Sequence, residues 1–581
     1  MIMENSNNAY RYQPLAGHHH IRLLHLTPGR PEDVLSGRLE NTSLSSRPLY
    51  EALSYEWVSS EKSHTITLEN GRTGRITSSL HQALRDLRHE VGGNRTIWAD
   101  GVCINQDDMD ERQRQVAMMG KIYQGSLRVI TYIGPDTEES SAAIAFARYL
   151  TAYSARWARD WSQDHNTRLP ITRADLGLPP WHDKRWNALK DLLLRGWAGR
   201  CWCAQEFLRN ENLIMVCGRL EIPDLELIPN IVQSVFNRRL PPFILPTHYE
   251  DPNSLRECLT AVMGLRRRIE LGQHLSLIDL LYSLHPLRAT DPRDKVYSVV
   301  GLALDNLVTT IQIDYSCSVE ELYISVANRL VHAGVGFTLL YCSLQRKSLC
   351  LPSWVPDWSF WQFGAHGTAA RAGYKASGET TPDLRVYPES NRLDIAGCLV
   401  DRVIQLSSNI GDNYKDTLGT DAARRRRAWL EEQQQVVNKL HPYPDGTRTS
   451  DILWRTLIGN ITPSSSPAKS DYKDLFEAHF NIKDDSSVAD KAKTREFCDA
   501  ARRRNRYRRL AVTELGYFGA VPETAEIGDW LCVFNGGVHL FLIRETEDSC
   551  FTYLGHAYVH GLMLGEALKL SRYRDGFISL I

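Results

Sequence analysis

The chain has 581 residues, more than one hydrophobic core can serve, and at roughly 100–200 residues per domain about three domains are expected. Its 68 basic and 69 acidic side chains nearly cancel, so no global field draws nucleic acid or an anionic membrane to it, and any charged partner must meet a local patch. No window approaches the roughly 18 apolar residues that span a bilayer, and MIMENSNNAYRYQPLAGHHH lacks the basic-then-apolar pattern of a secretory leader. A cytoplasmic protein is therefore expected, with its 12 scattered cysteines as buried thiols. The tract His18, His19 and His20 reads as part of a disordered tail, and with no second ligand cluster no metal is expected.

In chain order, residues 1–49 read as a tail and a first strand. EALSYEW, from Glu51, is a strand, and HTITLENGRTGRIT is a hairpin about Asn70-Gly71. SSLHQALRDLRHE repeats Leu80, Ala83, Leu84 and Leu87 at helical spacing behind a serine cap. RTIWAD is a strand. DMDERQRQVAMMGKIYQGS is a helix with acids at its positive end and Val116, Met119 and Tyr123 on one face. RVITYIGP is another strand, and the aromatic interval Asp136 to Pro180 fits an inserted helix. WNALKDLLLRGWAGRCWCAQEFLRN reads as helical and NLIMVCG as a strand.

This alternation predicts an α/β domain over 50–235 with a parallel sheet, whose ligand edge lies at the loops after Trp57, Asp100 and Gly134. Amphipathic helices predict a helical middle region over 236–365, ending in LPSWVPDWSF, whose prolines forbid continuous helix. From 366 to 581 a β-rich region with inserted helices is predicted. NITPSSSPAKSDYKD reads as a loop, and the terminal short strands, with a turn at Asn535-Gly536-Gly537, suggest a closed or folded-over sheet.

YEALSYEW, WADGVCINQDDMDERQRQVAMMGKIYQGS and RCWCAQEF together resemble the fungal heterokaryon-incompatibility (HET) domain. DPRDKVYSVVGLA, PSWVPDWS, GDWLCVF and YLGHAYVHGLMLGEA look like elements of its full-length members. Val58 stands where that family usually has glycine, and Gly101 where it commonly has a bulkier residue. The resemblance implies non-self recognition at cell fusion, ending in programmed cell death, with an unidentified incompatibility protein as partner. It also implies a distant likeness to TIR domains and hence a TIR/flavodoxin-like sheet. In TIR enzymes a glutamate in a motif similar to WCAQE cleaves the nicotinamide–ribose bond of NAD, so Glu206 is the candidate catalytic residue, with NAD as substrate and no cofactor.

Breaking that bond develops positive charge on the ribose, which an ionised carboxylate stabilises, and nicotinamide leaves without a general acid. Trp202, one helical turn before Glu206, is positioned to stack on a flat base. Asp100 and Glu56, near the ends of their strands, are the other candidate NAD contacts. The structural alternatives stand beside these: Glu206 as a helix acid paired with Arg209, Trp202 as core, Asp100 as a turn acid. A thiol alternative at Cys103 or Cys203, with His182 as base, needs a thiolate that no fixed spacing supplies.

The basic runs Arg424 to Arg427 and Arg502 to Arg509 allow nucleic-acid contact or nuclear import, but their helical context favours solvated helix faces. A non-enzymatic module that signals by self-association, as a homo-oligomer, is the competing function.

Overall fold

The computed structural model describes residues 8–163, 178–180, 182–222, 227–228, 230–231, 255–343, 348–360, 373–410, 422–462, 467–470, 472–481, 495–505, 507–570 and 576–581. The expected boundaries at 235 and 365, and parts of the 136–180 and 460–474 intervals, lie outside these residues. The chain forms two compact units, Met1–Ser318 and Val319–Ile581.

The first unit is built on β1 (His20–Leu26), β2 (Gly37–Ser43), β3 (Glu51–Tyr55), the hairpin β4 (His64–Thr67) and β5 (Thr73–Ile76), and α1 (Ser78–Leu87). Then come β6 (Arg95–Trp98), α2 (Asp100–Cys103), α3 (Met109–Gly125), β7 (Arg128–Tyr132), α4 (Ser140–Gln163) and α5 (Lys184–Leu193). α6 (Cys203–Leu208), β8 (Leu213–Cys217), β9 (Leu220–Ile222), α7 (Leu255–Glu270), α8 (Leu277–Ser283) and α9 (Asp294–Val300) complete it.

The main sheet has the order β2-β1-β6-β3-β7-β8-β9. β6, β3, β7 and β8 run parallel, and antiparallel partners close both edges. Numbered by appearance, the parallel strands run 2-1-3-4, the doubly wound order whose switch point lies between the first and third strands, here β3 and β7. The last four residues of both β3 and β7 are buried without alternation, as strands covered on both faces must be.

Several local expectations are corrected. The histidine tract is no disordered tail: His20 opens β1, which pairs along its whole length with β2. The cap of α1 is Thr77, whose hydroxyl accepts from the Leu80 amide, and not a serine. On α3, Met119 and Tyr123 are buried but Val116 is only half-buried, while Glu111 and Gln115 are buried beside them. The stretch from Trp186 to Asn210 is not one helix. A 3-10 turn at Gly196–Gly199 separates α5 from α6.

The second unit begins with α10 (Val319–His332) and α11 (Gly336–Cys342), so the expected middle helices divide between the two units. β10 (Leu384–Tyr387) and β11 (Arg392–Asn409) follow, then α12 (Ala422–Asn438), α13 (Thr449–Leu457), α14 (Tyr472–Phe480) and α15 (Arg495–Asn505). The chain ends with β12 (Arg508–Thr513), β13 (Phe518–Pro522), β14 (Trp530–Phe534), β15 (Leu540–Glu545), β16 (Phe551–Val559) and β17 (Gly576–Leu580).

β11, β12, β13, β16, β15 and β14 pair in a closed ring, because the long β11 bonds β14 through its first half and β12 through its second. Register shifts near Asp401 and Gln405 let β11 bend between its partners. The closure removes the free edges that an open sheet of these strands would present. Leu453, Trp454 and Leu457 of α13 and Phe497 of α15 share one apolar core with Val400, Leu531, Val533 and Leu542 of the strands.

Candidate functional site

Glu206 lies in the first unit, near the carboxyl end of β3. It is only 4% exposed. The Ser54 hydroxyl donates to its carboxylate, and the Trp197 indole donates to Ser54 Oγ at 2.6 Å. Arg200 donates to the Tyr55 carbonyl and acts electrostatically on both Glu206 and Asp100. Asp100, the first residue of α2, accepts from the Gly101 amide at 2.7 Å and from the Trp57 indole at 3.3 Å. Two buried carboxyl groups thus lie within the electrostatic field of one guanidinium.

Burial pushes the Glu206 carboxyl up. Arg200, the hydrogen bond from Ser54 and the nearby Tyr123 hydroxyl pull it down, Asp100 adds to the rise, and the result is about 7. Asp100 is raised as well, by burial above all. Burial also works against the Arg200 charge, but Cys203, Glu206 and Asp100 more than offset it and hold the guanidinium above its ordinary range. One proton on the carboxyl pair brings the cluster to neutrality, the state that a low-dielectric site favours.

The GWAGR segment is shaped by close approach. A Cβ on Gly196 would collide with Glu56 Oε1, and one on Gly199 would fall 2.7 Å from Arg288 Nη2. Glu56 therefore lies against the turn that carries Trp197, half-buried and apart from the Glu206–Ser54 bond. Cys201 and Arg288 exchange backbone hydrogen bonds with the same turn, through Cys201 N to Arg288 O at 2.9 Å and Arg288 N to Gly199 O at 2.6 Å. Gln205 donates to the Ser298 carbonyl at 2.8 Å and fixes α6 against α9.

Among the sequence candidates, Glu206 and Asp100 are both buried and both act electrostatically on Arg200. Trp202 precedes α6 as its cap residue, in right-handed helical conformation one turn before Glu206, and its indole lies near the Asp294 carboxyl. The expected Glu206–Arg209 pair does not form: Glu206 turns to Ser54, and Arg209 Nε is buried without a hydrogen-bond partner. Burial pushes the Cys103 thiol up to about 12 and Cys203 well above its usual value, against any thiolate, and His182 is exposed.

Sequence reasoning missed Ser54, Tyr123, Trp197 and Arg200. The available signal was Ser54 itself, a hydroxyl inside a buried strand, which has to find a hydrogen-bond partner.

A second polar assembly also went unseen. Arg22 of β1 and Glu111 of α3 form a buried two-bond pair at 2.5 and 2.9 Å. Arg22 also donates to the Cys103 carbonyl at 3.2 Å, and Glu111 accepts the Asn105 amide at 2.7 Å. Gln106 donates to the Asp100 carbonyl at 2.9 Å. The CINQDDMDE block is thereby a clasp that fixes the loop carrying Asp100. Gly101 fits the same design, since a Cβ there would lie 2.5 Å from the Tyr55 hydroxyl.

Comparison with known proteins agrees with this architecture. The heterokaryon incompatibility protein (HET) family matches residues 50–206, from the start of the first parallel strand to Glu206. The Het-6 beta-barrel domain matches residues 409–579, most of the closed ring. Heterokaryon incompatibility protein 6, OR allele, of Neurospora crassa is 25% identical over 666 aligned positions that take in 96% of each chain. No solved structure matches. The chain is a heterokaryon-incompatibility (HET) domain protein with a Het-6-type barrel.

Proposed function

We propose that this protein acts in heterokaryon incompatibility, sensing a non-self partner protein in the cytoplasm of fused cells and triggering their death. The observation that carries the proposal is the end-to-end alignment with the Neurospora crassa incompatibility protein, which takes in both the HET region and the barrel. The test is genetic. Expression of the chain in fungal strains that differ at candidate compatibility genes, followed by dye exclusion in fused compartments, is expected to give death in some pairings and none in others. Uniform survival in every pairing overturns it.

A second reading, NAD cleavage by a TIR-like first unit, is favoured by the carboxyl cluster beside the switch point of the parallel sheet. Water would replace nicotinamide at the ribose carbon, leaving ADP-ribose, with Glu206 stabilising the developing cation. It requires Glu206 to ionise and to be uncovered from Ser54 and Trp197. Nicotinamide released from NAD by the purified chain, and lost in Glu206→Gln, supports it. Death that survives Glu206→Gln but not the loss of self-association supports a scaffold instead.

A further inference from the structure

The barrel unit holds a second polar centre of a different kind. Arg504, Asn505 and Arg508 come from the basic run that was expected to form a solvated helix face, yet all three line a cavity with Tyr374, Thr456 and His539. The chain makes this turn at Tyr507, whose φ of 61° ends α15 and swings Arg508 into the start of β12. The cavity offers about 40 Å³, room for about three waters or one phosphoryl group.

Arg508 donates to the carbonyls of Ala520 at 3.2 Å and His556 at 2.9 Å, and reaches His556 Nε2. Among the described residues it meets no carboxylate. Burial pulls its guanidinium down to about 10, and the nearby Arg504 pulls the same way. A partly buried cation that meets only dipoles and another cation is costly unless an anion joins it.

Thr456 supplies an independent sign. The residue is 1% exposed, lines this cavity, and its hydroxyl has no hydrogen-bond partner. A buried hydroxyl left unpaired at a cavity wall offers a bond to a polar atom that enters the cavity. His539, 3% exposed, is held neutral by burial and by the two arginines, with its titration lowered to about 3, so it adds no competing charge.

We propose that this barrel cavity is a binding site for a tetrahedral oxyanion, a phosphate group either free or as the monoester of a small molecule, held by Arg508, Arg504 and Thr456. Guanidinium forks and a hydroxyl converging from β12, α15 and α13 suit oxygens spread about a centre better than the flat pair of a carboxylate.

The test is calorimetric titration of the full chain with inorganic phosphate, phenyl phosphate and acetate. Saturable binding of at least one phosphate probe is expected, with acetate weaker. Tighter phenyl phosphate identifies an ester as the natural source, and tighter inorganic phosphate a free ion. Arg508→Met is expected to abolish the binding. Thr456→Val, which keeps the side chain's shape, is expected to weaken it about tenfold, the worth of one hydrogen bond to a charged group. If Arg508→Met does not fold, Thr456→Val alone decides. The proposal is overturned by no saturable phosphate binding, by acetate binding as tightly, or by equal phosphate affinity in wild type and Thr456→Val.

Discussion

The two buried polar centres of this protein keep their charges in opposite ways. In the first unit Arg200 acts electrostatically on two carboxyls, Asp100 and Glu206, and one proton on the pair makes the group neutral. In the barrel Arg508 faces backbone carbonyls, a histidine and a second arginine. The first centre reaches neutrality with groups of its own. The second is complete only when something negative enters. Burial alone therefore does not tell a structural charge from a binding one; the sum of charges around it does.

The sharpest way to break that contrast is to remove each cation in turn. Arg200→Met removes the cation that acts on two buried carboxyls and its bond to the Tyr55 carbonyl, and is expected to cost about 3 kcal/mol of unfolding free energy. Arg508→Met, measured without phosphate, is expected to change stability by no more than about 1 kcal/mol, because the loss of hydrogen bonds is offset by relief of an uncompensated charge. Urea unfolding of each full chain measures both, and equal losses would erase the distinction.

The next test uses pH. An acid whose folded value is raised binds its proton more tightly when folded, so the stability it contributes is full below its unfolded value near 4.5 and is lost as pH rises to about 7. The loss over that window is on the order of 2–3 kcal/mol. Glu206→Gln should flatten this part of the profile in urea titrations at stepped pH; an unchanged slope would show that Glu206 is not the proton acceptor.

A smaller effect probes how tightly the first centre is closed. Gly101→Ala would place a methyl group 2.5 Å from the Tyr55 hydroxyl. It is expected to lower stability by about 1–3 kcal/mol, and adding Tyr55→Phe should recover part of that in the same assay. The smallest change sets the scale for an ordinary local loss in the same unit. Thr77→Ala removes the cap of α1 and should cost about 1 kcal/mol in thermal or urea unfolding.

Much of the fold was legible because its signals are local. The parallel strands read as apolar runs, the Asn70-Gly71 hairpin as a turn dipeptide with positive φ at both residues, and the terminal strands as short segments between glycine turns. Helical spacing alone misled at the stretch before Asn210. A 3-10 turn at Gly196–Gly199 divides the helix there, packed against Glu56 and Arg288 from elsewhere in the sequence. For the basic run at Arg502 to Arg509, composition suggested a solvated face, and the turn at Tyr507 changed which way Arg508 points.

The sequence by itself determined an α/β first region, the helices, the strand-rich end and the kinship with incompatibility proteins, because periodicity, turn chemistry and motif need only neighbouring residues. Only the tertiary structure decided that Glu206 meets Ser54, that Arg22 meets Glu111, that six strands close into a ring, and that Arg508 turns inward. Those outcomes depend on which buried polar groups find one another across the chain, and hydrogen bonds between residues as far apart as 54 and 206 leave no trace in the local pattern.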